Sequence, residues 1–128
     1  MRYTPKQIEK YRRQKYIALL EKIGKNLFRM FRDSRISADI FRNRLNALMM
    51  QLDGVEKVRL ESEYLNKSEE YYRFLHHEVT EEDFDDEKLD DMREEHMSRL
   101  NRLQKMKNRH NYKKEKHRVA LHDRREWE

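Results

Sequence analysis

Apolar residues return along this chain at steps of three and four, the period of a helix that buries one face. Tyr16, Leu20, Ile23, Leu27 and Met30 form the first such stripe, widened by Ile17, Leu19, Phe28 and Phe31. Just upstream, Thr4-Pro5-Lys6-Gln7 reads as a helix start, with Thr4 as cap, Pro5 in the first helical position and Gln7 completing a capping box. Gly24 lies inside the stripe at a cost of about 1 kcal/mol against Ala, and there it signals close helix approach more than a break.

Asp33-Ser34-Arg35-Ile36-Ser37 supplies cap candidates for a second helix on Ile40, Phe41, Leu45, Leu48, Met49 and Leu52, which Asp53-Gly54 ends. A third helix is expected from near Val55, with Val58, Leu65, Tyr72 and Val79 one heptad apart and Leu75 beside them. Thr80 is expected to cap a fourth, whose acidic first turn suits the positive end of the helix dipole. Its inner stripe is Leu89, Met92, His96, Leu100, Leu103 and Met106. Past Met106 the same face falls on His110, Lys113 or Lys114, and His117, so packing should weaken. Links this short make successive helices antiparallel neighbours. The expectation is an all-α, up-down bundle of four helices, two helical hairpins, over residues 1–106. A basic helical extension or frayed tail should follow over 107–128.

Composition agrees with that pattern. A chain of 128 residues is one domain, and 43% charged against 36% hydrophobic residues, with two glycines and one proline, suits long helices with solvated faces. The charge is arranged in blocks. Residues 1–35 carry eleven basic and three acidic side chains, 80–98 carry two and ten, and 99–128 carry eleven and four. Such asymmetry points to interaction surfaces.

If the first and fourth helices lie antiparallel, the acidic run 81–95 meets Lys22, Lys25, Arg29, Arg32, Arg35, Arg42 and Arg44. Exposed pairs contribute only about 0–1 kcal/mol each, yet their pattern selects register. The same alignment brings Arg99, Arg102, Lys105, Arg109, Lys113 and Lys116 toward Arg2, Lys6, Lys10, Arg12, Arg13 and Lys15. Two basic surfaces would then face each other without an internal counterion, a state that a polyanion stabilises. Tyr3, Tyr11, Tyr16 and Tyr112 offer stacking on bases. The plainer reading is that Lys and Arg simply solvate helices and that the tyrosines pack.

The sequence identifies no reaction. The chain has no cysteine, no His-Glu-x-x-His and no Glu-x-x-His, and His110 and His117 stand two turns, or about 10 Å, apart. Glycine-rich phosphate loops and Asp-x-Asp-x-Asp-Gly calcium loops are missing as well. The helix after Asp53-Gly54 carries Glu56, Glu61, Glu63 and Glu69, the wrong charge for a major-groove reader. No apolar run approaches the roughly 20 residues of a membrane span, and MRYTPKQIEKYRRQKY lacks a signal-peptide core, so a cytoplasmic protein without membrane insertion is expected. No cofactor, metal or catalytic residue is assigned. The leading expectation is a non-enzymatic accessory protein that binds nucleic acid or nucleoprotein through Lys6, Lys10, Arg12, Arg13, Lys15, Arg99, Arg102, Lys105, Arg109, Lys113 and Lys116, mainly along the backbone. The alternative rests on methionine-rich apolar faces: a protein-protein adaptor, an assembly or secretion chaperone, or an obligate homodimer.

Overall fold

Each expected helix forms, and local chemistry sets most of the ends. The computed structural model describes residues 3–110, with side chains as far as Lys107. α1 spans Pro5–Arg32, α2 Ala38–Asp53, α3 Glu63–Val79 and α4 Asp86–His110. The capping box is present: Gln7 N–H donates to Thr4 Oγ1 at 3.2 Å and Thr4 N–H to Gln7 Oε1 at 2.9 Å. Ser37 caps α2 by accepting from Ile40 N–H.

Two starts differ from expectation. α3 begins at Glu63 behind the cap Ser62, not near Val55. Over 58–62 the chain is non-helical and turns alternate residues inward, Val58, Leu60 and Ser62, so Val58 joins the core by period two and its place in the heptad series is incidental. Thr80 ends α3 and does not begin α4: its N–H donates to His76 O and its hydroxyl to His77 O. Asp85 caps α4, accepting from Lys88 N–H at 2.9 Å. The five residues between Thr80 and Asp86 form a turn that buries Phe84. Ile40, assigned to the inner face of α2, is 47% exposed, while Ala38 and Phe41 take the core positions.

Cross-contacts give the topology. α2 returns along α1, with Lys22 against Gln51 and the Phe31 and Phe41 rings 4.9 Å apart. α3 runs with α1, and α4 returns beside both, stacking His96 on Phe31 at 5.5 Å. The result is the up-down four-helix arrangement, with one core of Ile17, Leu20, Leu27, Leu45, Leu65, Leu75 and Leu89 among others. Gly24 lets α1 and α3 approach closely: a Cβ there would lie 2.6 Å from Tyr72 Oη.

Three polar clamps hold the end of the bundle where α1 stops and α2 starts. Arg93 of α4 donates to Phe31 O at 2.5 Å and Asp33 O at 2.9 Å, satisfying carbonyls at the end of α1. Asp86 accepts from Ala38 N–H, an orphan donor of the first turn of α2. Arg42 donates to Val79 O and Phe84 O, both at 2.7 Å, and its guanidinium lies 5.4 Å from the Phe84 ring centre.

Candidate nucleic-acid interface

The acidic block sits where the charge pattern places it, against the end of α1 and the start of α2, but it does not act by neutralising cations there. Among the described residues no ion pair joins 81–95 to Lys22, Lys25, Arg29, Arg32, Arg35, Arg42 or Arg44. The block's own charges are met locally, by Arg93 on Asp90 at 3.2 Å, Arg99 on Glu95 at 2.9 Å, and Lys88 on Asp83. Its contacts to α1 and α2 run instead to backbone groups and to Phe84: Arg93 on the carbonyls ending α1, Asp86 on Ala38 N–H, and Arg42 and Phe41 of α2 against Phe84.

A continuous cation row on α1 is therefore left open. Lys15, Lys22, Lys25, Arg29 and Arg32 recur at steps of seven, three, four and three, all exposed. Helix rise spreads them over about 26 Å. None has an ion-pair partner among the described residues, and Lys22 bonds only to neutral Gln51, at 3.0 Å. Arg44 of α2 is exposed too, and the facing of Lys22 to Gln51 puts it level with Arg29. The charge pattern alone assigns most of this row to internal neutralisation. The signal that finds it is present in the chain all the same, since cations at these steps share one helix face.

The site residues expected from the sequence scatter. Arg13 is mostly buried, pairing with Glu9 at 3.5 Å and donating to Arg59 O, so it ties α1 to the loop between α2 and α3. Arg12 pairs with Glu56 at 3.0 Å in an exposed contact. Lys15 lies 6.0 Å from the Tyr11 ring centre. Lys6 is exposed and Lys10 half-buried. On α4, Arg99 lies over Phe74 at 5.6 Å, and Arg102 and Lys105 are exposed. Arg109 is within α4, while Lys113 and Lys116, with Tyr112, lie outside the described residues.

The expected meeting of the α4 cations with Lys6–Lys15 does not occur among the described residues. Leu100, Leu103 and Lys107 share a small cleft with Glu21, Gly24 and Phe28, so Arg99–Lys105 is level with the middle of α1. Core packing of His96 on Phe31 and the Arg93 clamp fix that register, and a few tenths of a kcal/mol from surface charge does not compete with them.

At the other end the first three turns of α1 project past the end of α2. The loop after Asp53 passes beneath them, leaving a cleft of about 750 Å3 lined by Tyr3, Ile8, Tyr11, Arg12, Lys15 and Glu56. Tyr3 and Tyr11 are 69% and 63% exposed. Tyr16, grouped with them from sequence, is a core residue at 1%.

A second cleft has the opposite character. Glu78, Glu81, Asp83, Asp91 and Glu95 ring it, with His96 at its base. His96 Nδ1 is 2.7 Å from Tyr71 Oη, and its Nε2 lies 3.8 Å from Glu78 Oε2. Burial, with help from Arg99 and against Glu95, lowers the His96 pKa below its usual 6.5. Among the described residues no three of His, Asp and Glu converge to hold a metal ion. Nor is any described helix long and apolar enough to cross a membrane. No protein-family model, curated protein or solved structure matches the chain, so its surfaces are read through their chemistry alone.

Proposed function

We propose that this protein is a non-enzymatic accessory factor that binds nucleic acid, free or within a nucleoprotein, through contacts to the phosphate backbone. The observation that carries the reading is the open row Lys15, Lys22, Lys25, Arg29 and Arg32 on one face of a single helix, without acidic partners among the described residues. A line of cations fixed on a helix matches a line of phosphates and releases counterions on binding, without reading bases. Lys6, Lys10, Arg12, Arg102 and Lys105 extend the positive field at the periphery. Arg13 and Arg99, held by their own partners, contribute less. The alternative of an adaptor, chaperone or obligate homodimer calls for an open apolar stripe. Most of the stripes of α2 and α3 is buried and Met30 and Met49 lie in the core, with Ile40, Met50 and Phe74 the exposed apolar side chains of these two helices.

Fluorescence anisotropy with labelled DNA and RNA at two salt concentrations tests the proposal. Submicromolar binding that collapses with salt is expected. The triple variant Lys25→Gln, Arg29→Gln, Arg32→Gln should lower affinity roughly tenfold or more, and reduce the slope of log affinity against log salt by about 0.7–0.9 for each phosphate no longer neutralised. A wild-type protein that binds no nucleic acid at low salt removes the reading.

A further inference from the structure

We infer that the cleft under the first turns of α1 holds an unstacked base of a single-stranded nucleic acid, with the adjoining phosphate on Lys15 and Arg12. Such a site rests on the nucleic-acid reading above, and Tyr11 adds to it a preference for unpaired strands.

Ile8, Tyr11, Arg12 and Lys15 follow one another at steps of three, one and three, so they share one side of α1, and that side looks onto the loop carrying Val55 and Glu56. The cleft is thus walled by α1 and by the loop between α2 and α3, tied to each other where Arg13 donates to Arg59 O just behind. At about 750 Å3 it falls within the roughly 300–1,000 Å3 typical of small-molecule sites, ample for one nucleotide.

The lining suits a base and its phosphate. Tyr11 presents most of its ring to solvent, and Ile8 and Val55 complete an apolar surface. A planar base gains from such a surface whatever its identity. Lys15 Nζ lies over one face of the Tyr11 ring, 6.0 Å from its centre, so a base stacks on the other face or moves the flexible ammonium aside, and has it within reach of its phosphate in either case. The Arg12–Glu56 pair is exposed and therefore weak, leaving the guanidinium able to turn to a phosphate. Charge sets the partner class: residues 1–35 carry eleven basic and three acidic side chains.

Strand state follows from geometry. In a duplex each base face is covered by its neighbours, so a stacking platform recessed in a cleft reaches only unpaired bases. The exposed row on α1, by contrast, needs only phosphates and serves single and double strands alike. The two surfaces are continuous through Lys15.

The test measures anisotropy of a labelled oligothymidine of about 12 nucleotides and of a blunt duplex, for wild type, Tyr11→Ala and Tyr11→Phe. Tyr11→Ala should weaken single-strand binding about 5- to 100-fold, with duplex binding changed less than about twofold, and Tyr11→Phe should restore the single-strand affinity. Tyr11 is exposed, so circular dichroism should be unchanged. If Tyr11→Ala leaves single-strand affinity intact, or weakens both ligands equally, the cleft is not a base site and backbone binding stands alone. If wild type binds neither ligand, the nucleic-acid reading falls and takes the cleft with it.

Discussion

At the scale of single residues, the chain's clearest statements are local ones. Thr4 and Gln7 are three residues apart and make their capping box wherever the helix goes, so the start of α1 is legible without any tertiary knowledge. Tyr16 and Tyr11 are the contrary case: the same residue type, five positions apart, one in the core and one at the surface. Only the stripe phase separates them, and Tyr16 belongs to the seam. Gly24 shows what a missing side chain contributes. Gly24→Ala alone gains about 1 kcal/mol of helix propensity but drives Cβ onto Tyr72 Oη, an overpacking cost of about 1–3 kcal/mol. Net destabilisation of roughly 1 kcal/mol is expected. With Tyr72→Phe the next nearest atom is ring carbon at 3.7 Å, an ordinary contact, so the alanine should then stabilise. Urea unfolding of the two single variants and the double should give a coupling of at least about 1 kcal/mol. Additive effects would mean α1 and α3 are not held against each other at that point.

At the scale of elements, the helices are readable from the sequence and their junctions are not. Period and caps mark α1 and α2 because both act within a turn or two. The starts of α3 and α4 escape sequence reading because an extended run with alternating inward residues and a helical heptad can share the same apolar positions. Thr80 likewise serves as well at the end of one helix as at the start of the next. The clamps that join elements span sequence separations of up to about sixty residues, beyond any local pattern. Arg93 is the test of their weight. Arg93→Ala leaves the carbonyl of Phe31 without its donor from α4 and that of Asp33 with only Ile36 N–H, and should cost about 2–4 kcal/mol, with Arg93→Lys recovering part. Asp91→Asn, an exposed change two residues away, should stay within about 0.5 kcal/mol. Equal melting of Arg93→Ala and wild type would show that α1 ends without help from α4.

At the scale of the whole molecule, protonation links the core to pH. Burial lowers the pKa of His96 and, next to Asn46 at 2.6 Å, that of His76, with Asp53 opposing the second shift. Both folded values lie below the unfolded 6.5, so below that pH the unfolded chain binds more protons and stability falls. The contribution is whole above about pH 7.5, declines as pH drops through 6.5, and levels off once the folded pKa is passed. Urea midpoints measured from about pH 7.5 to 5.5 should show this decline. His96→Asn, though less stable overall because Tyr71 Oη loses its ring partner, should show a shallower one. A slope unchanged in His96→Asn would mean the imidazole binds protons alike in the folded and unfolded chain, and a steeper one that it is charged in the folded protein, paired with Glu78 at 3.8 Å. At the alkaline end burial raises the pKa of Tyr71 and Tyr72 above 10.0, so stability should also fall as pH rises beyond about 10.

Four amphipathic helices, their antiparallel succession and most of the core residues follow from the sequence alone, because the period of apolar residues and the shortness of the links dictate them. The dominance of positive charge over residues 1–35 is likewise a property of the sequence. Which of those cations face solvent without partners is a property of the packed molecule. The register of α4 on α1 is chosen by buried contacts such as His96 on Phe31 and by Arg93 on the end of α1, each worth more than any exposed ion pair. Packing therefore set the acidic block to capping helix ends, and left Lys15, Lys22, Lys25, Arg29 and Arg32 open along α1.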